Sequence, residues 1–201
     1  MRILETTVYT FDELSKEAKE HAIEKNRDIN IEFWEWYDDI YLAFKEKYSD
    51  LFEITNMYFS GFWSQGDGAM FEYGGINDKL IDEFIGQLSL SPLRKKLVKE
   101  HIHFSGSGKQ SGNYYHERSC SHSLYVEYDG TINCIHHVNI DNFISELSLD
   151  FEAFIEERYI DLAHELYSML ESEYEWHTSN EAIEQCLIDM EYEFTKQGEL
   201  I

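Results

Sequence analysis

Proline is almost absent from this sequence: Pro92 is the only one among 201 residues. This scarcity argues against long linkers and, with the length, predicts a single domain over residues 1–201. No run of eighteen apolar residues and no signal-peptide pattern occurs, so we expect a cytoplasmic protein that does not enter membranes. The three cysteines, Cys120, Cys134 and Cys186, are an odd number, which predicts reduced thiols in such a compartment.

Positively charged residues are also scarce: the sequence has 16 Lys and Arg against 40 Asp and Glu, which gives a net charge of −24. Residues 141–201 carry 17 carboxylates and 2 cations, which is −15 of that total. Such a field repels nucleic acid and anionic membranes and attracts basic surfaces at long range. The charge therefore excludes direct nucleic-acid binding, and it leaves two interpretations open, plain solubility or the use of the acidic surface in binding.

Apolar side chains are abundant: 43% of residues are hydrophobic and 15% are aromatic, which is enough for a substantial core. Period-two runs predict strands, and 3.6-residue spacing predicts helices. Hairpins outnumber βαβ units, so we expect an α+β fold with about five or six antiparallel strands covered by helices. The predicted strands are 2–11, 53–60, 69–73, 122–128, 131–138 and an edge strand 194–201. The predicted helices run from Asp12 or Ser15 to Asn26, then over 31–48, 77–88, 91–100, 141–174 with a break near Ser148, and 181–190 after Ser179 or Asn180.

The chain is organised around residues 58–75, read as YFSGFWSQGDGAMFEYGG, where two alternating runs flank a Gly-rich break. This pattern predicts two antiparallel strands and a loop. Residues 103–106 repeat the motif as HFSG, which predicts that each FSG ends a strand and that β-loop-β units at 53–75 and 101–130 are duplicated. The second loop is then expected over Ser107–Ser121, and an acidic helical part over 141–193.

Three segments together resemble a family of small proteins encoded by bacteriophages and prophages. They are FSGFWSQGDGA at 59–69, YTFDELSKEAKEHA at 9–22, and SNEAIEQCLIDMEYEFTKQGELI at 179–201. The resemblance implies a phage or prophage context. It implies no mechanism and no catalytic residue.

The loop after the first FSG places large aromatic residues beside a turn, where they are costly to leave in water. Phe62 and Trp63, with Gln65 and Asp67, are candidates for a partner-binding element, because Trp and Tyr concentrate binding energy. The alternative is that the two rings fold back and plug the core.

A zinc site is the first chemical alternative, and the residue pattern supports it weakly. A two-residue turn at Asp129-Gly130 would place Cys120, His122 and His137 on one face of a hairpin, while Cys134 and His136 point to the other. Three ligands without a CxxC pair are a poor zinc pattern. We therefore expect no metal and no cofactor.

A nucleotide pocket or a hydrolytic site between the two Gly-rich loops is the second alternative. Gly106-Ser107-Gly108-Lys109 lacks the spacing of a phosphate-binding loop, because Gln110 follows the lysine. The polar residues of such a pocket would be Lys109, Tyr114, Tyr115, His116 and Arg118. A hydrolase would use Asp67, Ser60 or Ser105, and His103, His116 or His122, but no G-x-S-x-G motif is present.

The charge and the aromatic loop together predict a non-enzymatic inhibitor that binds a basic host or defence-system protein, in the manner of a DNA mimic. The carboxylates expected to make the contact lie on the late helix: Glu152, Glu156, Glu157 and Glu165. Whether the protein forms a homodimer is left open by the sequence.

Overall fold

The computed structural model describes residues 7–32, 35–130 and 139–201. Its architecture is α+β, as the sequence predicts, with a four-stranded antiparallel sheet, a two-stranded antiparallel sheet and a long acidic helix near the C-terminus. The strands are β1 (Tyr9–Thr10), β2 (Phe52–Phe59), β3 (Ala69–Ile76), β4 (Ile102–Gln110), β5 (Cys120–Tyr128) and β6 (Glu193–Phe194). The helices are α1 (Lys16–Lys25), α2 (Ile29–Glu32), α3 (Asp38–Tyr48), α4 (Asp78–Gln87), α5 (Pro92–His101), α6 (Ile140–His177) and α7 (Asn180–Asp189).

Contacts divide the chain into two compact units. The first combines residues up to Asp39 with Leu170–Ile201, and the second is Ile40–Met169.

The second unit contains the four-stranded sheet, in the order β2-β3-β4-β5. The sheet is two consecutive hairpins laid side by side, with Met57 opposite Phe71, Tyr73 opposite Gly108, and Gly108 opposite His122. The β-loop-β arrangement predicted for 53–75 and 101–130 is therefore present in both halves. It places the β2–β3 loop and the β4–β5 loop at the same end of the sheet.

Helix α6 covers one face of this sheet through aromatic side chains. Tyr159 lies 4.5 Å from Phe71 between ring centroids, and Phe151 lies 4.9 Å from Phe104. The stripe predicted for the helix is buried at Phe151, Ile155, Leu162, Leu166 and Leu170, whereas Phe154 is half-buried. Tyr159, which lies in the same stripe, was missed.

The break predicted near Ser148 is wrong, because α6 is continuous from Ile140 to His177. The Ser148 hydroxyl donates to the carbonyl of Ile144 at 2.8 Å, a bond that serine makes inside a helix without ending it.

Helices α4 and α5 begin near the predicted positions. Ser91 accepts a hydrogen bond from the Arg94 amide, and Pro92 occupies the first helical position, where its missing N–H is not needed. Asn77 takes the N-cap position of α4, but its side chain donates to the carbonyl of Ser49 at 2.7 Å instead of capping the helix.

The first unit packs α1 and α7 around its own apolar core, beside the β1–β6 pair. Ser15 and Ser179 cap the two helices, which decides both alternatives left by the sequence. Strand β6 is shorter than the predicted 194–201, because only Glu193 and Phe194 pair with β1. Of the predicted strand 2–11, the described part is paired only at β1, and Phe11 begins a 3-10 turn. The core residues are Phe11, Leu14, Ala18, Ala22, Ile23, Ile183, Leu187 and Phe194.

Two further expectations need correction or fall outside the described residues. The helix predicted over 31–48 is not continuous, since α2 ends at Glu32 and a turn at Trp36 and Tyr37 precedes α3. Trp36 instead packs edge-on against Tyr174, with ring centroids 5.9 Å apart. The second strand of the hairpin predicted at Asp129-Gly130, residues 131–138, lies outside the described part of the chain.

The second FSG does not end a strand, because β4 runs through Ser105, Gly106 and Lys109 to Gln110. The loop predicted over Ser107–Ser121 is thus reduced to residues 111–119, which include a 3-10 turn at Glu117–Ser119. The two copies of FSG occupy different structural positions, so the echo in sequence carries no structural equivalence.

Candidate functional site

The β2–β3 loop is closed by hydrogen bonds of its own backbone and of one carboxylate. The Ser60 amide donates to the carbonyl of Gly68 at 3.2 Å, and the Asp67 amide donates to the carbonyl of Ser64 at 3.1 Å. The Asp67 carboxylate accepts from the Ser64 amide at 2.7 Å. Asp67 therefore shapes the loop, whereas Gln65 lies exposed at its tip.

The sequence left open whether Phe62 and Trp63 bind a partner or pack into the core, and the two residues differ in this respect. Phe62 is half-buried and packs on Phe59 and on Tyr167 of α6, with centroids 5.8 and 5.4 Å away. Trp63 is 67% exposed and has a φ of +68°. A left-handed backbone at a bulky residue costs about 1–2 kcal/mol. The Trp63 indole is therefore exposed on a residue whose backbone is strained.

Helix α6 exposes three of the four predicted carboxylates: Glu152, Glu156 and Glu157. Glu165 is different, because it accepts from Lys47 Nζ at 2.5 Å and from the Tyr48 hydroxyl at 2.6 Å. The hydrogen bond from Lys47, followed by the one from Tyr48, lowers the pKa of the Glu165 carboxyl. Glu165 belongs to the packing of α3 on α6 and is not part of the free acidic surface.

Four more exposed carboxylates, missed by the site prediction, lie on α6 close to these three. Because each residue of a helix turns by about 100°, Glu146, Asp150, Glu157 and Asp161 form a single row on its outward side. Asp141 is exposed near the helix start. The spacing i, i+4, i+11, i+15 could have revealed this row from sequence.

The aromatic loop and the acidic row meet on the same helix. Phe62 packs on Tyr167, ten residues after Glu157, which is about 15 Å along the helix axis at ~1.5 Å per residue. Only one Lys or Arg is present in α6, Arg158, and it lies 3.5 Å from Glu83 on the neighbouring helix. Arg158 also lines one cavity with Glu157 and Asp161, so only the first half of the row, Glu146 and Asp150, has no cation of its own helix nearby.

The two loops at this end of the sheet touch at two places. A Cβ at Gly68 would lie 2.6 Å from Cβ of His116, and the Tyr58 and Tyr115 rings stack at 5.0 Å. Gly106 and Lys109 lie inside β4, so this Gly-rich segment is not a loop that can surround a phosphate.

The candidate zinc ligands are only partly brought together. Cys120 Sγ lies 3.9 Å from Nδ1 of His122, while His137 lies outside the described residues. Burial raises the pKa of the Cys120 thiol to about 11, so the metal-free side chain is a neutral thiol at pH 7. Among residues 7–32, 35–130 and 139–201, no group of three His, Cys, Asp or Glu is arranged for a metal ion.

The candidate hydrolytic residues have structural partners instead of one another. Ser60 Oγ contacts the carbonyl of Gly66 at 3.5 Å, and His116 Nδ1 accepts from the Arg118 amide at 3.1 Å. Ser105 and His103 are exposed neighbours on β4, on the side of the sheet away from α6. No serine of this set is hydrogen-bonded to a histidine in the contacts that the structure describes.

A buried polar cluster lies between the sheet and α6, and no motif in the sequence pointed to it. The Tyr159 hydroxyl donates to the carbonyl of Phe71 at 2.7 Å and accepts from its amide at 3.1 Å. The Tyr73 hydroxyl lies 2.8 Å from Nδ1 of His122. Burial raises the pKa of the Tyr73 hydroxyl, so the phenol keeps its proton in this hydrogen bond. The cluster joins two strands, β3 and β5, to the helix, which is a structural role.

His122 makes stability depend on pH, and this is testable. Burial lowers its pKa below 6.5, against the opposing influence of Glu156 and Glu152. Below pH 6.5 the unfolded chain then binds the proton more readily, so stability falls as pH falls, by at most about 1.4 kcal/mol per pH unit. His122→Asn keeps a group that can donate or accept a hydrogen bond near the Nδ1 position and removes the titration. Urea unfolding at pH 7.0, 6.0 and 5.0 should show a weaker loss for the variant; equal losses would contradict this assignment.

Comparison with known proteins identifies the family. Residues 36–180 match the model described as a domain of unknown function, DUF8835, and the chain belongs to this family. No curated protein and no solved structure matches the chain significantly. The matched segment contains both the aromatic loop and the acidic row. None of the described helices combines the length and the apolar character that crossing a bilayer requires.

Proposed function

We propose that this protein is a non-enzymatic inhibitor that binds and blocks a basic protein through the carboxylates of α6 and the Trp63 loop. The observation that carries the proposal is the placement of the loop: Phe62 rests on the same helix that carries the acidic row, while Trp63 points outward. One continuous surface then supplies both long-range attraction and a short-range anchor.

The charge density of α6 supports a target that binds nucleic acid. Six exposed carboxylates lie within the sixteen residues from Glu146 to Asp161: Glu146, Asp150, Glu152, Glu156, Glu157 and Asp161. At ~1.5 Å per residue this is one charge per roughly 4 Å of helix, close to the ~3.4 Å between phosphates along one strand of DNA. The axial charge density is therefore comparable to that of a phosphate backbone, with four charges in the outward row and two, Glu152 and Glu156, beside it.

The exposed indole supports a specific contact in addition to steering. Tryptophan is enriched among the few interface residues that contribute most of the binding free energy. Backbone strain of the kind seen at Trp63 concentrates at functional sites, since folding alone gains nothing from it.

The biological setting belongs to the same proposal. The resemblance of Phe59–Ala69 to phage and prophage proteins supports a role as an accessory protein in the cytoplasm of an infected or lysogenic bacterium. The target would be a host or defence-system protein that binds nucleic acid, because such proteins present basic clefts.

The test is capture of the target from a bacterial host lysate at low salt, followed by affinity measurements with the purified target. Glu152→Gln/Glu156→Gln/Glu157→Gln removes three exposed charges and should weaken binding about 10- to 100-fold, because several close charge pairs are lost. The affinity of the wild type should fall steeply between about 50 and 300 mM salt.

The control removes the same charge elsewhere, by Glu17→Gln/Glu20→Gln/Glu181→Gln on exposed positions of α1 and α7. This variant should bind like the wild type. Binding that ignores salt, or equal losses for the two triple variants, would overturn the proposal. A large rise in melting temperature with a nucleotide would instead support a nucleotide-binding function.

A further inference from the structure

Between the carboxylates, the outward side of α6 carries a line of apolar residues. Leu149 is 67% exposed, Ala153 is exposed, and Ile160 and Tyr167 are half-buried. Their spacing of four, seven and seven residues keeps them on one side of the helix, with Glu156 at the edge of the line between Ala153 and Ile160. A large exposed leucine is not needed by a surface that attracts its target through charge alone.

Acidic residues flank this line on both sides. Viewed down the helix axis, one acidic row lies on one side of the apolar line and a shorter acidic row lies on the other, each centred within about 80° of the line. The first row is Glu146, Asp150, Glu157 and Asp161, and the second is Glu152 and Glu156. An apolar seam bordered by charges is the arrangement with which a helix selects a partner helix of opposite charge.

The seam has a defined length and a defined end. Tyr167 follows Leu149 by eighteen positions, or about 27 Å at ~1.5 Å per residue. At Tyr167 it meets Phe62, and the exposed Trp63 stands next to it with its ring centroid 5.6 Å from that of Phe62. We name Leu149, Ala153, Ile160 and Tyr167, with their two acidic borders, the α6 seam.

We infer that the α6 seam binds an amphipathic helix of the partner protein, with apolar residues on one side and Lys or Arg on both flanks. The inference rests on the proposed function and specifies the partner element. Charge complementarity selects this occupant. A second copy of the chain would place its own acidic rows against these, and a nucleic acid or an anionic lipid surface would be repelled.

The apolar line distinguishes helix docking from imitation of nucleic acid. A partner cleft that recognises only phosphate groups would make no use of Leu149. Additional negative charge on α6 would strengthen the binding of such a cleft. A docked helix buries Leu149 against its own apolar residues, so a charge at this position would be desolvated and binding would weaken.

The probe is a synthetic peptide of about 18 residues with Leu and Ala at heptad positions and Lys and Arg on the flanks. A scrambled peptide of identical composition has the same charge without an apolar side. Titration calorimetry with the full-length protein should give a Kd at least about 10-fold lower for the amphipathic peptide, and circular dichroism should show that it becomes helical on binding.

The decisive variant is Leu149→Glu/Ala153→Glu, which leaves the fold intact because both side chains are exposed. It should bind the amphipathic peptide at least about 10-fold more weakly, although it is more acidic. Leu42→Glu/Leu93→Glu adds the same charge at exposed leucines of α3 and α5 and should bind normally.

The outcomes separate this inference from the proposed function. Equal affinity for the two peptides, tighter binding by Leu149→Glu/Ala153→Glu, or no binding of either peptide would overturn the inference and leave the charge-based proposal standing. The proposed function fails on its own terms if Glu152→Gln/Glu156→Gln/Glu157→Gln binds its natural target as the wild type does.

Discussion

Replacing Gly108 with alanine is expected to destabilise the protein by about 2–4 kcal/mol, an unusually large effect for one added methyl group. A Cβ at this position would overlap the Tyr73 ring and lie 2.8 Å from Cys120 Sγ. The ring cannot move away, because Tyr73 is fully buried and its hydroxyl is hydrogen-bonded to His122. The ring centroid of Phe52 also lies 4.7 Å from that of Tyr73. Urea unfolding at pH 7 measures the change.

The matched control is Gly86→Ala, the same chemical change in α4. Nothing lies within 4 Å of a Cβ at Gly86, and alanine is the better helix former by about 0.5–1 kcal/mol. We therefore expect a small gain in stability at Gly86 and a large loss at Gly108. Similar small effects at both positions would show that the Tyr73 ring adjusts and that Gly108 is not required by packing.

The same substitution also tests whether the Gly-rich segment of β4 serves packing or ligand binding. A phosphate-binding loop needs glycine for backbone approach to a ligand, and its substitution would spare the fold and abolish ligand binding. In β4 the glycine instead makes room for a buried tyrosine from the neighbouring strand. The sequence could not separate these uses, because Tyr73 and Gly108 are 35 positions apart and meet only through strand register.

Local signals predicted the elements of the second unit well. The strands on either side of the Gly-rich break and the start of α5 at Ser91 and Pro92 follow from alternation and capping alone. The pattern failed where residues far apart in sequence decide the local structure. The turn at Trp36 and Tyr37 within the predicted helix 31–48 is one such place, since Trp36 packs on Tyr174.

The candidate site shows the same limit. That the FSG loop would present aromatic residues was predictable, but which ring is buried was not, because the answer depends on Tyr167 of a distant helix. Among the predicted carboxylates, Glu165 was indistinguishable in sequence from Glu157. Its partners Lys47 and Tyr48 are supplied by α3, more than a hundred residues earlier.

Replacing Trp63 with glycine should have effects of opposite sign on stability and on binding. Glycine adopts a φ of +68° without strain, and a side chain that is 67% exposed loses little packing when it is removed. We expect the free energy of unfolding to rise by about 1 kcal/mol. We expect affinity for the captured target to fall about 30-fold or more, the loss typical of a tryptophan at the centre of an interface.

Trp63→Phe is the control that separates strain from contact. Phenylalanine keeps an aromatic ring on the same left-handed backbone, so stability should stay near that of the wild type and most of the affinity should remain. Thermal and urea unfolding give the first quantity, and titration of the target gives the second. If Trp63→Gly lowered stability by more than about 1 kcal/mol, the indole would be acting as a packing residue, and its outward position would not indicate a binding anchor. A gain in stability with unchanged affinity would place the contact surface on the carboxylates of α6 alone, because the strain at Trp63 would then have no counterpart in binding.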